Sequence, residues 1–529
     1  MRDEQRGRPG RRGVIAGAGA VVAAGVGVAA VRAATGGGNG AEGEAPVTRT
    51  VAPAVSRAPA KTPQASPTPA APRRTPPPGS PNILVVVTDD QPKQTEWATP
   101  QTLDWLGEHG VTFERAHANT PLCAPSRASI MSGRYAHNHG VLDTRHPERL
   151  DQNTTVQRQL YEAGYRTGLF GKYLNYWRTG ENPPHFDEWL LQEPVRYYNG
   201  HYNDNGTVRN IPGYNTTVIK NRTLAFMERS RGDERPWFAY VATRAAHELN
   251  IPEKKYEGVQ VPEWEGRPSV FEDDKSDKPP FLRGGAAQHS LADGQALRAR
   301  QLRTLLSVDD AMRDFRDKLR ALGQLDNTLV LYTSDHGLLW GDHGWLRKSV
   351  PYRPSLEVPF YLSWPGGGLG TARTDDRLVG HIDIAPTLLD AAGVKPDTPH
   401  DGHSLLGTND RDHLLAEWWW NRQDKQPIHS WATYVGKTEQ YTEYYRLRLD
   451  RDGRLPSGAL NAGTDFGGAD SGGMNSGGAN SGEVTFREYY DLRADPYQLT
   501  NRLHGATAVQ EKRLGIPELA RRLTAARSG

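Results

Sequence analysis

Asn82-Ile83-Leu84-Val85-Val86-Val87-Thr88 is an unbroken apolar run, rich in β-branched residues, that stops at Asp89-Asp90. A strand without polar alternation has to be covered on both faces. That dictates a parallel sheet enclosed by helices. It also delivers two adjacent carboxylates to the end of a buried strand. Comparable runs recur at Thr167 to Lys172, Trp237 to Thr243, Leu329 to Thr333 and Pro359 to Trp364. Helical patterns lie between them: Thr102 to His109, Ser126 to Ser132 opening at Pro125-Ser126, Val156 to Ala163 stopped by Gly164, Thr216 to Arg229, and Asp383 to Gly393 with an Asp N-cap. The longest is Gln295 to Leu322, where Leu302, Leu305, Val308, Met312, Phe315 and Leu319 keep the helical period. Val111 to Ala118 reads as an edge strand or loop, and residues 250–290 as a long surface loop at the mouth of a site. Strands alternating with helices predict an α/β fold, with a mostly parallel sheet between helices.

The pattern changes after residue 410. Short aromatic-rich strands (Trp431 to Val435, Tyr444 to Leu449, Thr485 to Leu492) and a last helix (Ile516 to Arg527) predict a small C-terminal antiparallel subdomain over 410–529. Within it, 457–482 is Gly, Ser, Asn and Ala, which bury no core, so a disordered insertion is expected. The main domain is drawn at 81–409. Residues 35–80 are a Pro/Ala/Thr linker expected to be disordered. Residues 1–34 have the layout of a signal peptide: Arg2, Arg6, Arg8, Arg11 and Arg12, an uncharged run from Val14 to Val31, then Ala33-Ala34. Arg11-Arg12-Gly13-Val14-Ile15 resembles a twin-arginine export signal. An uncleaved anchor is the competing reading, but the Gly/Ala-rich run is weakly hydrophobic, so cleavage, export and no stable membrane span are expected. A net charge of +2 gives no case for nucleic acid as a partner.

In an open α/β sheet, ligands bind beyond the carboxyl ends of the strands. Those ends carry Asp89 and Asp90, Lys172, His247, and Asp335 with His336. One such Asp is ordinarily a turn former; four strand ends carrying metal-ligand and cationic side chains make a site. Asp89, Asp90 and Asp335 suit a hard divalent cation, and the imidazole of His336 keeps Mn²⁺ or Zn²⁺ open beside Ca²⁺. Arg127, Lys172 and Lys348 suit an oxyanion, as does a helix starting near Ser126. Cys123 is the only cysteine in 529 residues, which excludes an internal disulfide.

Cys123-Ala124-Pro125-Ser126-Arg127 matches the C-x-P-S-R signature of type I, formylglycine-dependent sulfatases. Gly171-Lys172, Asp335-His336-Gly337, Gly341-Asp342-His343-Gly344-Trp345 with Lys348, and Ile382-Asp383-Ile384-Ala385-Pro386-Thr387 follow in that family's order. The resemblance covers roughly residues 82–503. It implies an alkaline-phosphatase-like fold and conversion of Cys123 to formylglycine (3-oxoalanine) by a separate formylglycine-generating enzyme. Asp89, Asp90, Asp335, His336 and residue 123 would bind one divalent cation, Ca²⁺ in most relatives. Arg127 would stabilise the nucleophilic diol oxygen, Lys172 the sulfate oxygens, and Lys348 and His247 the leaving oxygen, with His247 as general acid.

Two departures stand out. Where many sulfatases have a histidine two residues after the Lys172 equivalent, this chain has Leu174, followed by Asn175. His336 stands where many relatives have Asn; Asp-His-Gly occurs in some sulfatases and also in related phosphonate monoester hydrolases and phosphodiesterases, which makes phosphoryl transfer the alternative reaction. An inactive sulfoglycan-binding protein is the non-enzyme alternative. Gly171-Lys172-Tyr173-Leu174-Asn175 and His137-Asn138-His139 look most similar to N-acetylglucosamine-6-sulfatases and their glycan-sulfatase relatives, implying a sulfated carbohydrate substrate contacted by Asn175 and His139, with His343 placed to contact substrate or to support Lys348. Trp418, Trp419 and Trp420 read as core or hairpin packing ahead of a sugar-stacking surface.

Overall fold

The computed structural model describes residues 73–193, 196–285, 287–420, 427–446 and 483–528. The expected signal (1–34), the linker up to residue 72, the 457–482 insertion and the last three residues of Tyr444 to Leu449 lie outside the described residues. Among the described residues, no helix is long and apolar enough to cross a membrane.

The apolar run forms β1 (Asn82–Thr88), and every residue of it is buried. Its pleat divides two cores. Ile83, Val85 and Val87 join the cluster on one face, while Leu84 and Val86 join the other. Each such Val or Leu contributes about 1.5–3 kcal/mol by leaving water. The first face is covered by α1 (Cys123–Ser132), α2 (Val156–Glu162) and α5 (Ile384–Ala391), the second by α3 (Asn215–Arg229) and the 31-residue α4 (Leu291–Ala321).

The remaining strands of the main sheet are β2 (Val111–His117), β3 (Arg166–Gly171), β4 (Glu188–Gln192), β5 (Tyr198–Asp204), β6 (Thr207–Tyr214), β7 (Trp237–Ala242), β8 (Thr328–Ser334), β9 (Phe360–Ser363) and β10 (Arg373–Gly380). They run in the order β10-β2-β9-β8-β1-β7-β3-β4-β5-β6. The block β8-β1-β7-β3-β4 is parallel throughout. A four-stranded antiparallel sheet follows: β11 (His413–Trp418), β12 (Ser430–Gly436), β13 (Glu439–Arg446) and β14 (Glu483–Asp491). It is backed by α6 (Ile516–Ala526). Trp418, Trp431 and Tyr444 of this sheet pack with Leu122, Leu339, Trp345 and Val350 in one shared core.

Several expectations are corrected. Val111–His117 is not an edge: β10 pairs on one side of it and β9 on the other. The helix expected from Ser126 begins three residues earlier, at Cys123. Pro125 is tolerated because its missing N–H falls in the first turn, where N–H groups have no partner within the helix. Asp383 does not cap its own helix. Its carboxylate instead accepts from the Gly380 and His403 amides, both at 2.8 Å. Ordered contacts begin before Pro81: Arg73 pairs with Asp187 at 2.5 Å, and the Arg74 amide bonds the Glu162 carbonyl. Segment 250–290 is not wholly surface, since Ser269, Lys278, Leu282 and Ala287 are buried.

Gly171 ends β3 with φ +109°, and a Cβ there would lie 1.9 Å from the Ala242 carbonyl oxygen. Gly171→Ala is therefore expected to cost about 2 kcal/mol or more, read as a lowered Tm. Gly180→Ala is the control, because Gly180 faces open space, and equal melting of the two variants would contradict the argument.

Candidate active site

Register assembles the site. Val87 pairs with Ala242 on one side and Thr333 on the other, and Ala242 pairs with Gly171. The residues after these strands therefore emerge side by side: Asp89 and Asp90, Lys172, and Asp335 with His336. Alpha-helix α1 enters from the covered face with Cys123 as its first residue. Its free N–H groups and dipole favour negative charge there.

The contacts are charged and buried. Arg127 is fully buried, with Nε 3.0 Å from Asp335 Oδ2 and Nη2 3.8 Å from Asp89 Oδ2. Lys172 Nζ donates to Asp89 Oδ2. Lys348 Nζ lies 2.6 Å from Asp90 Oδ1 and 3.3 Å from Cys123 Sγ. Sγ is also 3.5 Å from Asp89 Oδ1 and 3.4 Å from His336 Nε2. His247 Nε2 stands 4.0 Å from Asp90 Oδ2. Burial pushes the Asp89 and Asp90 carboxyls up, but the positive charges around them together outweigh it, Lys172 foremost at Asp89 and Lys348 at Asp90, so both are held below the usual range. Asp335 goes the other way, raised to about 6 by burial and by Asp89. Burial raises the Cys123 thiol, yet Lys172 and Lys348 outweigh it and hold it well below the ordinary value.

This donor set fits a divalent cation. Ligand atoms of Asp89, Cys123, Asp335 and His336 all lie within 4.8 Å of one another. Three carboxylates crowd together, one of them raised by its neighbour, and a cation relieves that repulsion. The imidazole is prepared as well: His336 Nδ1 is 2.9 Å from the Gly337 carbonyl, which leaves Nε2 facing the cluster. Burial lowers His336, but Asp335, Cys123 and Asp90 together outweigh it and raise it to about 9. A cation that takes up that carboxylate charge favours the neutral, ligating form.

Not every candidate arrives. Asn175 is half-buried near Lys172, with a buried Oδ1 that has no partner. His343 is buried under Tyr352, ring centroids 4.3 Å apart, with Nδ1 2.7 Å from Glu272. It pins the mouth segment and offers no open edge to a ligand. His139 is also buried, with Nε2 3.1 Å from Ser129 Oγ and Nδ1 accepting from the Val141 amide. Both ring nitrogens are occupied, so nothing is left for a substrate. His137 pairs with Glu417 at 2.9 Å, and Trp418 and Trp419 are buried. Sequence reasoning passed over Gln301, whose Nε2 donates to the Asp90 and Ala246 carbonyls. A polar residue beside Leu302 on the apolar stripe of α4 was the available signal. It also passed over His381, whose Nδ1 is 2.8 Å from Ser126 Oγ.

The Sulfatase family model matches residues 81–394, more than half of the chain. The chain belongs to the sulfatase family. The chain is 32% identical over 348 residues to the extracellular sulfatase SULF-1 homolog of Drosophila melanogaster, covering 62% of this chain and 31% of that one. It is 31% identical over 354 residues to human N-acetylglucosamine-6-sulfatase, covering 62% and 64%. It therefore spans less than two thirds of these relatives. Among solved structures, BT4656 in complex with its substrate D-glucosamine-2-N, 6-O-disulfate superposes with TM-score 0.67 at 20% identity, covering 84% of this chain and 98% of that one. The phosphonate monoester hydrolase of Agrobacterium radiobacter gives 0.62 at 21%, covering 84% and 96%. The fold is the alkaline-phosphatase-like one that the motifs implied.

Burial lowers the His139 pKa from 6.5 to about 3. Between those values the unfolded chain takes a proton that the folded one refuses, so stability falls as pH drops below 6.5. The expected slope is about 1.4 kcal/mol per pH unit. His139→Gln should make the Tm of the folded protein less acid-sensitive between about pH 6 and pH 4, inside the interval between the unfolded and folded values. An unchanged pH slope in the variant would refute the neutral, buried assignment.

Proposed function

We propose that this protein is an exported sulfuric ester hydrolase that uses formylglycine at position 123 and a divalent cation, Ca²⁺ before Mn²⁺ or Zn²⁺. Its substrate is a sulfated sugar such as 6-sulfo-N-acetylglucosamine. One observation carries the reading. The only cysteine is the first residue of a buried helix, and its Sγ is within 3.5 Å of Lys348, His336 and Asp89 together. The N-acetylglucosamine-6-sulfatase relatives support the sugar, and the extracellular ones support export. Maturation requires a separate formylglycine-generating enzyme.

The roles follow from position. Formylglycine supplies a hydrated aldehyde oxygen as the nucleophile at residue 123. Asp89, Asp90, Asp335 and His336 would hold the cation, which would supply positive charge for that oxygen and for the sulfate. Arg127, locked by Asp335, adds a fixed positive charge beside residue 123. Lys172, held by Asp89, faces the sulfate oxygens. Lys348 bridges Asp90 and residue 123, where it steadies charge on the departing alcohol oxygen. His247 holds the proton for that oxygen on Nε2, oriented by Asp90.

The deciding experiment pairs peptide mass with a substrate panel, using protein co-expressed with the modifying enzyme. The residue-123 peptide should be about 18 Da lighter than the cysteine form, and kcat/KM should favour 6-sulfo-N-acetylglucosamine over a phosphonate monoester. Full activity in unmodified protein would sink the mechanism, and a phosphonate preference would make phosphoryl transfer the function. Leaving-group roles have their own check. Lys348→Ala and His247→Ala should lose at least about 10-fold more rate on a sugar sulfate than on an aryl sulfate, whose leaving group needs less help. Equal losses on both substrates would rule those roles out.

A further inference from the structure

Arg244 stands two residues past β7, in the strand between those that deliver Asp89 and Lys172. Because Val87 pairs with both Ala242 and Thr333, Arg244 is level with Asp89 and Asp335 along the sheet edge. The alignment persists beyond the strand: the Thr243 amide bonds the Val87 carbonyl, and the Asp89 amide bonds the Ala245 carbonyl. Arg244 is also tied to the general acid. Its carbonyl accepts from the His247 amide at 2.8 Å, and Tyr197, whose hydroxyl bonds the His247 carbonyl at 2.7 Å, lies under its guanidinium at 5.3 Å.

What the side chain lacks is a counter-ion. Arg244 is only 6% exposed, yet it forms no ion pair with a carboxylate among the described residues. Nη2 donates to the Glu248 carbonyl at 3.2 Å, while Nε is buried with no acceptor. Arg127, equally buried, is matched to Asp335 and Asp89. A buried guanidinium without an anion is costly and keeps a rigid fork of donors ready for one. The neutral partners around Arg244 brace it without discharging it.

We propose that Arg244 forms an anion subsite beside the sulfate pocket, receiving a second negative group of the substrate such as an N-sulfate or a carboxylate. The proposal rests on the sulfatase reading. It makes the preferred substrate a sugar carrying two anionic groups, the ester at residue 123 and the other beside His247.

The test measures binding and turnover separately. Calorimetric titration of Cys123→Ala protein with D-glucosamine 2-N,6-O-disulfate and with D-glucosamine 6-O-sulfate should show tighter binding of the disulfate. Arg244→Gln in the same background should remove that preference, a loss of about 10- to 100-fold in the affinity ratio. Arg244→Lys, which keeps the charge but not the fork, should retain part of it and serves if the glutamine variant does not fold. With the modified enzyme, the kcat/KM ratio of the two sugars should fall in parallel, through KM. Equal affinity for the two sugars in the Cys123→Ala protein, or a preference that survives Arg244→Gln, overturns the subsite. A binding preference without release of sulfate from either sugar would instead refute the sulfatase reading and leave the subsite standing.

Discussion

Three carboxylates brought out of water at adjacent strand ends are the constraint on which this structure depends. Asp89, Asp90 and Asp335 are buried, and each has a cation assigned to it: Lys172, Lys348 and Arg127. Buried charges persist only with partners and hydrogen bonds in good geometry, and stripping one partner costs about 3–5 kcal/mol. The partners come from distant parts of the chain, on β3, on α1 and on the segment after residue 341. The charge requirement therefore ties the fold's layers together at one point.

The hardest cation to hold is Lys348, because its segment has no strand or long helix of its own. The C-terminal sheet answers that need. Trp431 Nε1 donates to the Ser349 carbonyl at 2.9 Å, and Gln440 Nε2 donates to the Pro351 carbonyl. Tyr352 reaches buried Glu488, which Tyr444 and Tyr490 also satisfy. From the opposite side, Glu272 and Asp342 join the mouth segment to the same loop through His343 and Arg267. The antiparallel sheet thus serves as a brace for the Lys348 cation, which explains why its core is continuous with Leu122 and Trp345.

Strand ends were legible in the sequence because a buried parallel strand leaves an unbroken apolar run, and its polar stop marks where side chains reach the cleft. Asp89, Lys172 and Asp335 were found that way, and Cys123 by its motif. The antiparallel extension was not legible. Strands β5 and β6 are rich in Asn, Gly, Asp, Arg and Thr, and most of β6 is exposed, so neither shows an apolar period. The charged start of β10 hid it in the same way. His139 was read as a substrate contact because a motif states adjacency in sequence and says nothing of which ring edges the fold has already used, whereas His343, read as contacting substrate or supporting Lys348, falls on the side of support. Arg244 carries no local signal for its tertiary position, and Gln301 only its place on the apolar stripe of α4.

The substitution at Leu174 also changes meaning in three dimensions. Leu174 is 3% exposed and belongs to the core that covers one face of the sheet, among residues such as Tyr173 and Phe186. It is a packing residue in a place where no polar group is offered, and its neighbour Asn175 carries the unpartnered oxygen instead. The polar work on that side of the cleft therefore falls to Lys172 and the groups level with it. Charge balance agrees. Three carboxylates against three fixed cations leave the cluster close to neutral, so under the proposed function a divalent cation and an anionic ester would each bring in the charge that the other compensates. Arg244 stands outside that balance as an uncompensated positive charge, and electroneutrality in a low-dielectric pocket calls for a further anion there.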